Sequence, residues 1–106
     1  MKTPTKYPQT VCDDIAEIVR VVGHWRTPED AKRGLLVLKT DRSRDQLVLW
    51  LSFYAPDLRI VSERTGDEVE LLHIEYREPG EPWRTFCPSA EEKAALEKFC
   101  RLHWEL

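Results

Sequence analysis

The run Gln46-Leu47-Val48-Leu49-Trp50-Leu51-Ser52-Phe53-Tyr54 decides the fold of this chain. In an extended strand Leu47, Leu49, Leu51 and Phe53 share one side, and Val48, Trp50 and Tyr54 the other. Apolar residues on both sides predict a central strand, covered at least partly on each face. Outward from it, Ala55-Pro56-Asp57 breaks the run and Leu58 to Glu63 reads as the next strand. Arg64-Thr65-Gly66-Asp67 is a tight turn into a long partner, Glu68 to Arg77, where Val69, Leu71, His73 and Glu75 alternate with Glu70, Leu72, Ile74 and Tyr76. Pro79-Gly80-Glu81-Pro82 is a further turn, and Trp83 to Phe86 fits a short edge strand. On the upstream side Leu35 to Lys39 has strand length and is closed by the polar turn Asp41-Arg42-Ser43-Arg44-Asp45.

Helices flank this block. Thr10 is the expected N-cap of a first helix, with Asp13 in its first turn, Val11, Ile15, Ile18 and Val22 on one stripe, and Gly23 as a left-handed stop. Thr27-Pro28-Glu29-Asp30 opens a short second helix that closes at Gly34. Ser89-Ala90-Glu91-Glu92 is a capping box, and Ala95, Leu96, Phe99, Leu102, His103 and Leu106 form the apolar stripe of the last helix. Strands joined by short turns are antiparallel, and two amphipathic end helices can lie on one sheet face. The expected fold is therefore α+β: a two-layer sandwich of a mostly antiparallel sheet of four to five strands, with the N- and C-terminal helices on one face. The expected core contains Ile15, Ile18, Leu49, Leu51, Ile60, Leu71, Leu96 and Phe99.

The length of 106 residues fits one domain, read as a flexible arm over residues 1–9 and an α+β domain over 10–106. An apolar content of 42% argues against disorder. No run reaches the roughly 18 consecutive apolar residues of a membrane helix, and Met1-Lys2-Thr3-Pro4 leads into polar sequence, so a cytoplasmic protein is expected. The odd set Cys12, Cys87 and Cys100 argues against a disulfide framework, with Cys12 and Cys100 expected to be shielded.

Catalytic signatures are missing. The four glycines stand isolated, so no glycine-rich phosphate loop can form, and no cysteine or serine has a marked histidine partner. Cys100 and His103 share a helix face with Cys87 just upstream, but Cys12 and His24 would have to come from the far end of the chain to complete a tetrahedral site. A buried cysteine and a helix-terminal histidine explain the pair more simply, so no catalytic residue, metal or cofactor is assigned.

Charge and aromatics carry the functional reading. Residues 20–44 have a net charge of +4 and residues 63–106 one of −5. Four tryptophans exceed what a core of two helices and one sheet face holds, which is about two. Trp25, beside Arg26 at a helix junction, and Trp83, after a turn, are the expected surplus. Tryptophan and arginine dominate interface hot spots. Trp25, Arg26, Arg33, Arg42, Arg44 and Trp83 are therefore the expected partner-binding residues of a small non-enzymatic interaction module, of inhibitor, immunity or adaptor type. Its partner would be a larger protein, which it occludes or recruits. The alternative partner is single-stranded nucleic acid, with the arginines on phosphates and Trp25 stacked on a base. No membrane partner is expected, and an exposed strand edge could equally serve homodimerisation.

Overall fold

In the computed structural model, which describes residues 7–34, 37–51 and 57–106, the strands form one five-stranded antiparallel meander. β1 (Lys39–Arg42), β2 (Gln46–Leu51), β3 (Asp57–Thr65), β4 (Glu68–Arg77) and β5 (Arg84–Phe86) lie side by side in chain order. Three helices complete the fold: α1 (Gln9–Val22), α2 (Pro28–Gly34) and α3 (Ala90–Trp104). α1 packs on α3, α2 on α3, and α3 on β2 and β4. The fold is the α+β sandwich expected from the element order.

The inner sheet face supplies Leu47, Leu49, Leu51, Leu58, Ile60 and Ile74, all between 0 and 2% exposed. The helices answer with Val11, Ile15, Ile18, Val22, Leu96 and Phe99. All eight residues expected in the core are buried. The Ser89 capping box is formed: its hydroxyl accepts from the Glu92 amide, and the Glu92 carboxylate accepts from the Ser89 amide.

Several local expectations are corrected. α1 begins at Gln9 after Pro8 and carries no side-chain cap, so Thr10 lies inside the helix. Gly23 has φ −57°, an ordinary right-handed conformation, and its amide donates to Val21 instead of making a left-handed stop. Of the arm expected over residues 1–9, residues 1–6 lie outside the described residues, and the described part is packed. Tyr7 packs edge-on to Tyr76 and against Phe86, and its hydroxyl accepts the Cys87 amide at 3.1 Å.

The first strand is shifted downstream, because Asp41 and Arg42 pair with Val48 and Leu47 instead of turning. The reversal falls at residues 43–45, where Ser43 and Gln46 bond each other. Leu35, Leu36 and the stretch Ser52 to Pro56 lie outside the described residues. The last strand starts at Arg84, which leaves Trp83 just ahead of it.

The alternation expected along Glu68 to Arg77 also fails, for a specific reason. Ser62 faces Leu71 but Val61 faces His73, so Leu72 is an extra residue in a β-bulge. Beyond it the phase flips: Ile74 and Tyr76 turn into the core, and His73 and Glu75 turn out. His73 therefore leaves the side of Val69 and Leu71.

Phe99 sits at the middle of the helix layer, fully buried, stacked on Trp25 at 5.7 Å and close to His103 at 4.5 Å. Phe99→Ala is expected to lower the unfolding free energy by about 3–5 kcal/mol. The check is a urea titration in which the midpoint falls at unchanged slope; a loss under about 1 kcal/mol would contradict this packing.

Candidate partner-binding surface

Among the described helices α3 packs on the inner face, and α1 and α2 pack on α3, so the outer face of the sheet must manage its own exposure. Across its upper row run Lys39, Trp50, Arg59, Glu75 and Thr85, each directly opposite the next. Trp83, arriving from the turn before β5, meets Trp50 edge-on at 5.7 Å. The Arg59 guanidinium lies 3.9 Å from the Trp83 ring centre and 5.3 Å from that of Trp50. The Arg77 guanidinium lies 4.5 Å from the Trp83 ring centre, and the Lys39 ammonium is 5.4 Å from that of Trp50.

Each guanidinium is held in place by a carboxylate. Arg59 Nε donates to Glu75 at 2.9 Å, with both side chains under a quarter exposed. Arg77 donates to Asp57 at 3.1 Å in a more open pair. Cations over indole faces contribute about 0.5–1 kcal/mol each when exposed, and more when desolvated. The result is a preorganised plate of two half-buried indoles and two clamped guanidiniums. Val61 below it is 6% exposed, and the Trp50 Nε1–H is buried with no hydrogen-bond partner among the described residues.

The remainder of this face is acidic. Counting the outward positions, Lys39, Arg59 and Arg77 stand against Asp41, Asp57, Glu63, Glu68, Glu70 and Glu75. The plate is therefore bordered by carboxylates instead of forming part of a basic field.

The six residues read from sequence as partner-binding do not form one surface. Trp25 is 7% exposed and belongs to the core, stacked on Phe99 and tilted against His103. Gly34 makes room for it, since a Cβ there would fall 2.6 Å from its ring. Its expected place on the surface is thus corrected: the ring seals the α1–α2 junction.

Arg42 is exposed but has a structural role. Strand alternation places it on the helix side of the sheet, where one amino group donates to the carbonyls of His103 and Trp104 at 2.8 and 3.0 Å. It closes the α3 C-terminus, where a cation also meets the negative end of the helix dipole. With Arg64 it flanks the Trp104 ring, at 5.2 and 4.9 Å. Arg26, Arg33 and Arg44 are exposed, without an aromatic anchor from Trp25. Of the expected set only Trp83 stands on the aromatic plate. Trp50, Arg59 and Arg77 were missed; their signal is the outward register that sets Trp50 against Arg59.

Two buried polar side chains near the end of α3 have structural partners. His103 Nδ1 donates to the Phe99 carbonyl at 2.7 Å, and Trp104 Nε1 donates to Ser62 Oγ at 3.0 Å. Cys100 is fully buried, and desolvation pushes its thiol up to about 12, so it carries no thiolate at neutral pH. Cys12 is half-buried with its thiol also raised, mainly by desolvation, while Cys87 is exposed; all three are unbridged. Among the described residues no group of three His, Cys, Asp or Glu side chains could hold a metal ion, and no helix is long and apolar enough to cross a membrane.

No protein-family model matches this sequence, and comparison with curated proteins and with solved structures likewise gives no match.

Two outcomes are expected from the buried groups. Burial holds the His103 imidazole below its ordinary value of 6.5, with the bond to Phe99 opposing more weakly. Below about pH 6.5 the unfolded chain then binds a proton that the folded one refuses, so stability falls with falling pH and is unaffected by this group above that range. Urea titrations from about pH 8 to 5 should show this slope reduced in His103→Leu; an unchanged slope would refute the assignment. A thiol reagent should modify Cys87 in the native protein and reach Cys100 only on unfolding, which mass spectrometry of timed samples would read.

Proposed function

We propose that this chain is a non-enzymatic protein-interaction module, of inhibitor, immunity or adaptor type, which docks on a larger protein through the outer face of its sheet. The observation that carries the reading is the plate of Trp50 and Trp83 with Arg59 and Arg77 held between and beside them. Hot spots are built from these residue types in desolvated, preorganised clusters, ringed by polar groups that exclude water. Here the ion pairs Arg59–Glu75 and Arg77–Asp57 restrict the side chains before any partner arrives, which reduces the entropy lost on binding. Occlusion or recruitment follows from covering a patch of the partner, without chemistry at the interface. The cytoplasm, with its reducing conditions, suits three unbridged cysteines.

The charge balance favours a protein over nucleic acid. A phosphate-binding face needs net positive charge, because most of the affinity comes from counterion release. The outer face carries twice as many carboxylates as cations. The exposed arginines elsewhere lack the stacking ring that Trp25 was expected to supply.

The test compares affinity capture by the wild-type protein with Trp83→Ala and Arg77→Glu, after each variant is shown to unfold at a near-wild-type midpoint. A protein retained at stoichiometric yield by the wild type is expected to be lost about tenfold or more by both variants. Arg26→Glu with Arg33→Glu should keep it. Equal retention by the outer-face variants would overturn the reading, as would binding to single-stranded DNA or RNA that falls steeply with salt.

A further inference from the structure

We infer that the free edge of β4 over Glu68–Leu71 accepts an extended segment of another protein as an added strand, one that alternates basic and apolar residues. β5 pairs only with Ile74, Glu75 and Tyr76. After Phe86 the chain turns away through Cys87 and Pro88 into α3, beneath the sheet. Earlier in β4, Glu68 to His73 have β3 on one side and no strand on the other among the described residues. Such an edge presents unpaired amides and carbonyls to an incoming strand.

A groove follows this edge. One end is lined by Asp67, Glu68 and Glu70 with Lys93, Glu97 and Arg101 of α3. The other is apolar, with Leu71, Leu72, Phe86 and Pro88, and Lys93 is common to both. α3 thus forms a floor under any added strand.

Charge selects the occupant. Glu68 and Glu70 point outward, and Glu70 is directly opposite Glu63 on β3. Like charges opposed across a ladder are destabilising, so a cation added across from Glu70 pairs with it and offsets its repulsion with Glu63, one strand further away. A second copy of β4 fits poorly. Paired antiparallel about Val69 it sets Glu68 against Glu70, and paired about Glu70 it sets that glutamate against itself. Paired about Leu71 it runs into Ile74, whose edge β5 already holds. The occupant is therefore a foreign segment, antiparallel to β4 as β5 is. Lysine or arginine lies opposite Glu68 and Glu70, and apolar residues lie opposite Val69 and Leu71. A further apolar side chain enters the depression at Leu72, Phe86 and Pro88. Four paired residues span about 14 Å.

This site shares no residue with the Trp50–Trp83 plate, so the two can fail separately. The probe is a fluorescein-labelled ten-residue peptide alternating valine and lysine, titrated into the full chain, beside its valine–glutamate counterpart. The lysine peptide is expected to bind in the micromolar range and to slow amide exchange over residues 68–71, and the glutamate peptide should not bind. Both positions are exposed, so Glu68→Lys with Glu70→Lys should fold and weaken binding about tenfold or more, while Trp83→Ala leaves it unchanged. No binding of the lysine peptide at about 1 mM would overturn the inference. So would undiminished binding by the double variant, protection of amides elsewhere but not at 68–71, or a dimer joined through this edge.

Discussion

One extra residue in β4 determines which side chains become core and which become surface. If strict alternation continued past Leu71, then His73, Glu75 and Arg77 would point at the helices, and Ile74 and Tyr76 would face water. The bulge at Leu72 reverses that phase. It puts Ile74 and Tyr76 into the core and delivers Glu75 and Arg77 to the outer face. There they meet Arg59 and Asp57 as ion pairs, and Arg77 closes over Trp83. The packed interior and the aromatic plate are thus two outcomes of a single irregularity. The same bulge ends the regular part of the open edge, which limits strand addition to the four residues before it.

The second organising device is the exchange of cations between elements. The last carbonyls of a helix have no partner within it. In α1 the Val22 carbonyl accepts the Lys98 ammonium of α3 at 3.0 Å. In α3 the terminal carbonyls accept Arg42 from β1. Each long helix is therefore closed by a side chain from an element it packs on or that lies across from it. The Trp104–Ser62 hydrogen bond then joins the end of α3 to the middle of β3. A basic residue near a helix end in this fold has a structural role before it has a surface one, and Arg42 shows how that reduces the charge left for binding.

Much of the architecture was legible because it depends on local patterns. Period-two runs with turn residues between them define the meander, and the Ser89 capping box defines where α3 starts. The stripes of α1 and α3 identify Ile15, Ile18, Leu96 and Phe99 as core. The bulge also left a trace, since Val69 and Leu71 share one phase while Leu72, Ile74 and Tyr76 follow the other. The tryptophans were harder to place. Trp25 and Trp83 both stand at junctions between elements, and nothing local separates them. Trp25 is buried because Gly34 and Phe99 leave a slot for it, and Trp83 is half-exposed because no helix among the described residues lies over the outer face. Arg42 could not be assigned without knowing that the strand reaches it, and its partners are 61 and 62 residues away.

The meander has a consequence for how the chain reaches this structure. Every strand pairs with its immediate neighbour in sequence, so each hairpin closes a short loop and loses little chain entropy in doing so. The contact between α1 and α3 is different, because it joins the two ends of the chain across the whole sheet. Until those helices dock, the row of Leu47, Leu49, Leu58 and Ile60 is bare. The end helices therefore work as a clasp on a sheet whose pairings are all local, and the contact of longest sequence range is the one that hides the inner face.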